Sequence, residues 1–226
     1  MQDTLTAPLP TFVTTLAKRG WSTHTPVSLD ADSVVRELNR IGNILGARVA
    51  GRAAALEEVI EPQAPGDAHP RSLSAQFGLG TLPFHVELSH RPRPCRYLLL
   101  GCLAPGSPSA ATTLLDWRTL GLSSDELYLL ESAPILVRTG RRSFYSTLLP
   151  PDRAFLRYDP GCLEAVDERG RAVLDLVQRR LGAGVLGIHQ WRRGDILIID
   201  NWRVLHGRAR SDQGSGRRLA RILIDA

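Results

Sequence analysis

The sequence predicts a mainly β fold with flanking helices, its strands wound into a jelly-roll, cupin-like double-stranded β-helix core. Three observations carry this. Short runs rich in Leu, Ile, Val and Thr recur between turns rich in Gly, Pro and Ser. Helical periodicity is confined to a few separated stretches, so strands and helices do not alternate as a βαβ sheet requires. No internal repeat or linker divides the 226 residues. One domain over 1–226 is therefore expected, with a helical and irregular part, 1–70, packed on a core spanning 75–225.

Residues 1–28 are Thr- and Pro-rich and read as a meandering arm. Residues 30–41 form an amphipathic helix, with Val34, Val35, Leu38 and Ile41 on one face and Gly42 as its stop. Residues 61–70, rich in Pro, Gly and Asp, are a loop, and 72–80 lead into a strand around 82–90. The apolar run 96–103 is a strand, 105–109 a loop and 112–116 a strand. Ser123 and Glu126 form a capping box that opens a short helix through Leu130. Strands follow at 135–138, 143–148 and 154–159. Residues 167–181 are the strongest helix, with Val173, Leu174, Val177 and Leu181 on one face and Gly182 beyond its end. The last strands are 195–201 and 217–225.

Composition removes several function classes. No run approaches the roughly 18 apolar residues of a membrane span. The N-terminus lacks the basic-then-apolar pattern of a secretory signal, so a cytoplasmic protein is expected. Cys95, Cys102 and Cys162 are odd in number and lack CxxC spacing, which argues against a disulfide framework or a zinc ribbon. The formal charge is +5 and the pI about 9.6, yet arginines are scattered and Lys18 is the only lysine. Dispersed arginine reads as solvated surface and ion pairing, which disfavours a nucleic-acid partner and leaves an anionic small-molecule substrate open. No oligomeric state follows.

The chemistry centres on Leu82-Pro-Phe-His-Val-Glu87. In an extended strand His85 and Glu87 project to one face and Val86 to the other. An imidazole and a carboxylate side by side are two thirds of the 2-His-1-carboxylate triad that holds non-heme Fe(II). The candidate third ligand is His206, which follows the buried-type strand 195–201 and a turn. After a polar turn, Arg217 would return beside His206, and Arg221, four further on, shares its face. A forked, always-charged guanidinium suits a carboxylate and is costly to bury unpaired.

These motifs, with Gly194-Asp195, Asp200-Asn201, His206-Gly-Arg208 and Gly216-Arg-Arg-Leu-Ala-Arg221, resemble the TauD/TfdA superfamily of Fe(II)- and 2-oxoglutarate-dependent dioxygenases. The likeness is to the branch of clavaminate synthase and the amino-acid hydroxylases, and covers residues 75–225. It implies His85, Glu87 and His206 as iron ligands. Arg217 would grip the distal carboxylate of 2-oxoglutarate, helped by the hydroxyl of Thr112, with Thr113 as an off-by-one alternative. The Arg217-Arg218 doublet leaves the choice of arginine open. Arg221 would sit near the substrate and bind its acid group in some members. Asp159 and Arg157 align with a substrate-contacting region, Gln76 and Phe77 could line the pocket, and substrate identity lies in loops 67–80 and 140–157. A carboxylate at Glu87, where related halogenases carry a small residue, implies hydroxylation, desaturation or epoxidation with O2, releasing succinate and CO2. His24, His69, His90 and His189 read as structural or surface residues, and Trp191 and Trp202 as packing. The rival reading is a non-catalytic jelly-roll module that binds an acidic or sugar ligand through its arginines.

Overall fold

The computed structural model describes residues 11–51, 54–70, 72–106, 110–139, 142–184 and 186–226. Residues 1–10 of the expected arm, 107–109 of the expected loop, and 71, 140 and 141 of the substrate loops lie outside the described residues. The rest of the arm is not irregular. It forms α1 (Thr11–Arg19), which buries Phe12 and Leu16, and then β1 (Trp21–His24). Two apolar side chains four apart make one helical stripe, too little to read as a period but enough to dock on a waiting apolar face.

α2 (Ala31–Leu45) begins where expected, with Asp30 accepting the Ser33 N–H as N-cap. It runs through Gly42, the expected stop, and ends at Gly46. A Cβ on Gly42 would meet Ile222 Cδ1 at 2.7 Å, and one on Gly101 would meet Val34 Cγ1 at 2.9 Å. Gly42 is small so that the helix can lie close on the sheet.

Then come β2 (Ala47–Val49), β3 (Glu58–Ile60), α3 (Leu73–Phe77) and β4 (Leu82–His85). The loop between β3 and α3 carries a 3-10 turn, Pro65–Asp67. β5 (Tyr97–Ala104) and β6 (Thr112–Asp116) follow, and the Ser123–Glu126 capping box opens α4 (Ser124–Ser132). β7 (Ile135–Val137), β8 (Phe144–Ser146), β9 (Leu163–Ala165) and α5 (Glu168–Ala183) come next, with Gly182 inside the helix. The chain ends with β10 (Gly187–His189), β11 (Ile196–Asp200), β12 (Val204–Arg208) and β13 (Arg218–Asp225). The expected strand 154–159 is buried but joins no ladder. Its backbone instead bridges two loops, with Val86 N–H donating to Tyr158 O and Arg157 N–H to Leu148 O.

The described strands pair antiparallel in three sheets. The first has the order β1-β11-β5-β13-β2, with β3 also on β13; the second is β10-β6-β12-β4; the third is β8-β7-β9. Alternation along β5, β11 and β13 separates two apolar layers. Leu99, Ile196, Ile198 and Ile222 meet α1 and α2 through Phe12, Leu38 and Ile41. Leu98, Leu100, Leu197 and Leu219 turn the other way, toward Leu114 and Val204 of the second sheet. The outer face of the second sheet, at Leu115 and Leu205, lies under α4, α5 and the third sheet. Helices thus flank a mainly β body whose two larger sheets face each other. Among the described residues no helix is long and apolar enough to cross a membrane.

Candidate active site

β12 lies between β4 and β6, and its register sets His206 directly opposite His85. Side chains opposed across an antiparallel pair are close neighbours, and the two imidazole centroids are 4.2 Å apart. A Cβ on Gly207 would meet Leu82 O and Thr113 Oγ1, each at 2.8 Å. Glycine at this position lets β12 sit tightly between its two partners.

Glu87 is not on the regular strand that the alternation assumes. β4 stops at His85, and Glu87 opens a turn in which Leu88 has φ 57°. The buried carboxamide of Asn201 holds it there. Asn201 Oδ1 accepts the Glu87 N–H at 2.8 Å, while Nδ2 donates to Glu87 O at 3.0 Å and to Cys95 O at 2.9 Å. One ligand atom from each of His85, Glu87 and His206 then lies within 4.8 Å of the others.

The electrostatics suit a divalent cation. Burial pushes the Glu87 carboxyl up, but Arg221, His85 and His206 outweigh it and hold the group at about 2. Its contribution to stability is complete above the ordinary carboxylate value of 4.5 and is lost as pH falls toward 2. Burial, aided by His85 and opposed by Glu87, holds His206 well below the ordinary histidine value, so its imidazole is neutral. His85 Nδ1 lies 3.0 Å from Pro83 O. A carbonyl only accepts, so Nδ1 carries a proton, and Nε2 is the ring nitrogen left for a metal. His206 Nδ1 is buried with no hydrogen-bond partner. Two imidazoles and an ionised carboxylate form the donor set of the facial triad, and these residues fit Fe(II).

The three face a cavity of about 580 Å³ that Thr112, Asp159, Arg217 and Arg221 also line. Thr113 lies on the opposite face of β6. Arg217 points inward, whereas Arg218 is exposed and paired with Glu61. Arg217 is only 5% exposed; one nitrogen donates to Ala110 O at 2.9 Å and Nε has no partner. Among the described residues no carboxylate pairs with it, and burial, followed by the charge of Arg208, lowers it to about 10. This is a buried cation facing a cavity, the environment in which an anionic ligand gains most.

Arg221 is already paired. It donates to Glu87 Oε2 at 2.9 Å and through Nε to Glu58 Oε2 at 3.1 Å. Three further predicted residues, Gln76, Phe77 and Arg157, lie outside the cavity lining. Gln76 sits on α3, with Phe77 39% exposed beside it. Arg157 is 2% exposed, and its guanidinium donates to Arg91 O and Pro92 O, both at 2.7 Å, and to Ser89 O. It therefore ties down the loop that follows Glu87. Arg157→Lys, which cannot span three carbonyls, is expected to lower stability by roughly 1–3 kcal/mol in thermal unfolding.

Glu58, Asn201 and Arg208 carry site roles that the sequence reading does not assign, although Asn201 and Arg208 fall within the motifs that carry the resemblance. Arg208 shares the inward face of β12 with His206 and donates to Gly78 O and Gly80 O. A lone Asn closing the fully buried run of β11 is the one readable signal among the three.

Residues 127–223 match the taurine catabolism dioxygenase TauD, TfdA family. That span is TauD/TfdA-like. It includes His206, Arg217 and Arg221, and stops short of His85 and Glu87. No curated protein matches the chain. Among solved structures, the chain is similar to asparagine oxygenase in complex with Fe(II), 2S,3S-3-hydroxyasparagine and succinate, with TM-score 0.74 and 20% identity over 92% of this chain and 75% of that one. It is also similar to the non-heme iron oxygenase OrfP with Fe and alpha-ketoglutaric acid, with TM-score 0.72 and 21% identity over 93% and 76%. OrfP with Fe, succinate and (3S)-hydroxy-L-Arg gives TM-score 0.74 and 19% identity over 93% and 78%. At these identities the chain shares the fold of those structures.

Proposed function

We propose that the chain is an Fe(II)- and 2-oxoglutarate-dependent dioxygenase that hydroxylates, desaturates or epoxidises a small polar, amino-acid-derived metabolite, releasing succinate and CO2. The observation that carries this reading is the convergence of His85, Glu87 and His206 within 4.8 Å, beside a buried Arg217 that has no carboxylate partner among the described residues. His85, Glu87 and His206 hold the iron. Arg217 and Thr112 receive the distal carboxylate of 2-oxoglutarate. Bound iron supplies the activation of O2 that couples decarboxylation of 2-oxoglutarate to oxidation of a substrate carbon–hydrogen bond.

The chain's own residues orient and shield. Asn201 fixes the turn that presents Glu87, and Arg221 keeps Glu87 ionised. Asp159 and Arg221, which line the cavity, serve as substrate contacts. Arg221 already holds Glu58, so a substrate acid group there would join an existing ion pair. Support for an amino-acid-like substrate comes from the hydroxyasparagine and hydroxyarginine bound by the similar folds. The two facing sheets are read as a jelly-roll core and the whole of 1–226 as one oxygenase domain. Three free, buried cysteines suit a reducing cytoplasm.

The test is succinate release from the purified protein with Fe(II) and 2-oxoglutarate across free and carrier-bound amino acids. At least one substrate should stimulate release, and EDTA should abolish it. Ligand binding indifferent to EDTA and to His206→Ala, without succinate, would instead support the non-catalytic module.

A further inference from the structure

We infer that Trp191 is a positioning residue for the 2-oxoglutarate site, its indole N–H turning the Thr112 hydroxyl hydrogen toward the cavity. The inference rests on the reading that Thr112 and Arg217 receive the distal carboxylate. Trp191 follows β10, is 4% exposed and packs between the two large sheets. β10 pairs with β6, and His189 lies opposite Thr112. His189 also meets the Trp191 ring edge-on, with centroids 4.4 Å apart and an interplanar angle of 89°, which fixes the indole against the strand that carries Thr112. Trp191 Nε1 donates to Thr112 Oγ1 at 3.1 Å.

An indole nitrogen can only donate, so Thr112 must accept from it. The hydroxyl rotor then loses the position in which its own hydrogen would point back at the wall. The remaining positions favour donation into the cavity, on the side that Arg217 shares. A carboxylate accepts only, so it suits two converging donors, whereas the amide group of 2-oxoglutaramate presents a mismatched N–H. Trp191 thereby sets the polarity of a site that it does not line.

The test is a double-mutant cycle on the affinity of the Mn(II)-loaded protein for 2-oxoglutarate, measured by calorimetry. Trp191→Phe keeps a ring against His189 and removes only the donor; it should weaken binding about three- to tenfold, with a smaller preference for 2-oxoglutarate over 2-oxoglutaramate. Thr112→Val should weaken binding about tenfold or more, and the double variant should be no weaker than Thr112→Val alone. Thr112→Ser keeps the hydroxyl and should stay within about threefold of wild type, independently of whether W191F folds. Wild-type affinity in W191F, or multiplied losses in the double variant, would assign Trp191 to packing and overturn the inference alone. A tenfold loss in T112S would show that Thr112 acts through packing and overturn the inference together with the place of Thr112 in the cosubstrate site. A wild-type protein that binds no 2-oxoglutarate would overturn the cosubstrate reading, and this inference with it.

Discussion

Replacing His206 with alanine should abolish ferrous binding and 2-oxoglutarate turnover while leaving the fold in place. The two consequences separate because of how this imidazole is held. It sits on β12, inside the second sheet and opposite His85, and its Nδ1 makes no hydrogen bond. Its removal therefore costs packing but no polar partner, about 1–3 kcal/mol. The metal loses one of three protein donors. Disturbing the groups behind a ligand already costs about 10- to 100-fold in metal affinity, so losing the ligand should cost at least about a hundredfold. Metal titration and thermal unfolding of the same preparation check both halves. Retention of half the wild-type turnover would remove His206 from the site.

Arg217→Met should move stability and affinity in opposite directions. In the wild type the guanidinium is buried with a single backbone acceptor, and burial together with Arg208 opposes its charge. An unbranched apolar side chain removes that desolvation cost. Exchanging buried charges for packed apolar groups is often neutral, or stabilising by about 1–4 kcal/mol. The unliganded variant should accordingly melt no lower than wild type. Affinity for 2-oxoglutarate should collapse. Removing one partner of a buried charge pair costs about 3–5 kcal/mol, which at about 1.4 kcal/mol per decade is roughly two to four decades in Kd. Saturating 2-oxoglutarate should raise the melting temperature of wild type and leave the variant where it was. A variant that is destabilised yet binds normally would make Arg217 a structural residue.

The parts of this site legible in the sequence are those where side-chain type and strand alternation agree. The expected strand 217–225 is long enough to have a period, so alternation puts Arg217 and Arg221 on one face. His206 is singled out as a histidine beyond a buried-type strand and a turn, and by the family resemblance. Thr112 is named by the family resemblance, and β6 runs over the expected residues. The illegible parts are short or irregular. β3 has three residues, too few for a period, so nothing marks Glu58 as the partner of Arg221. Residues 154–159 have strand-like composition but pair with no strand, because their buried backbone bridges loops, and Arg157 turns to carbonyls there. Gly42 reads as a helix stop from local rules and is in fact a contact with Ile222, which only tertiary packing reveals. Glu87 reaches the expected place by a different route, a turn pinned by Asn201.

The central claim is that two histidines and one glutamate hold iron within reach of a 2-oxoglutarate gripped by Arg217. Anaerobic titration of the protein with Fe(II) in the presence of saturating 2-oxoglutarate tests it most directly. The expected result is a weak visible metal-to-ligand charge-transfer band that saturates at one iron per chain and is missing from His206→Ala and Arg217→Met. No band from the wild-type protein at saturation, or an undiminished band from either variant, would contradict it.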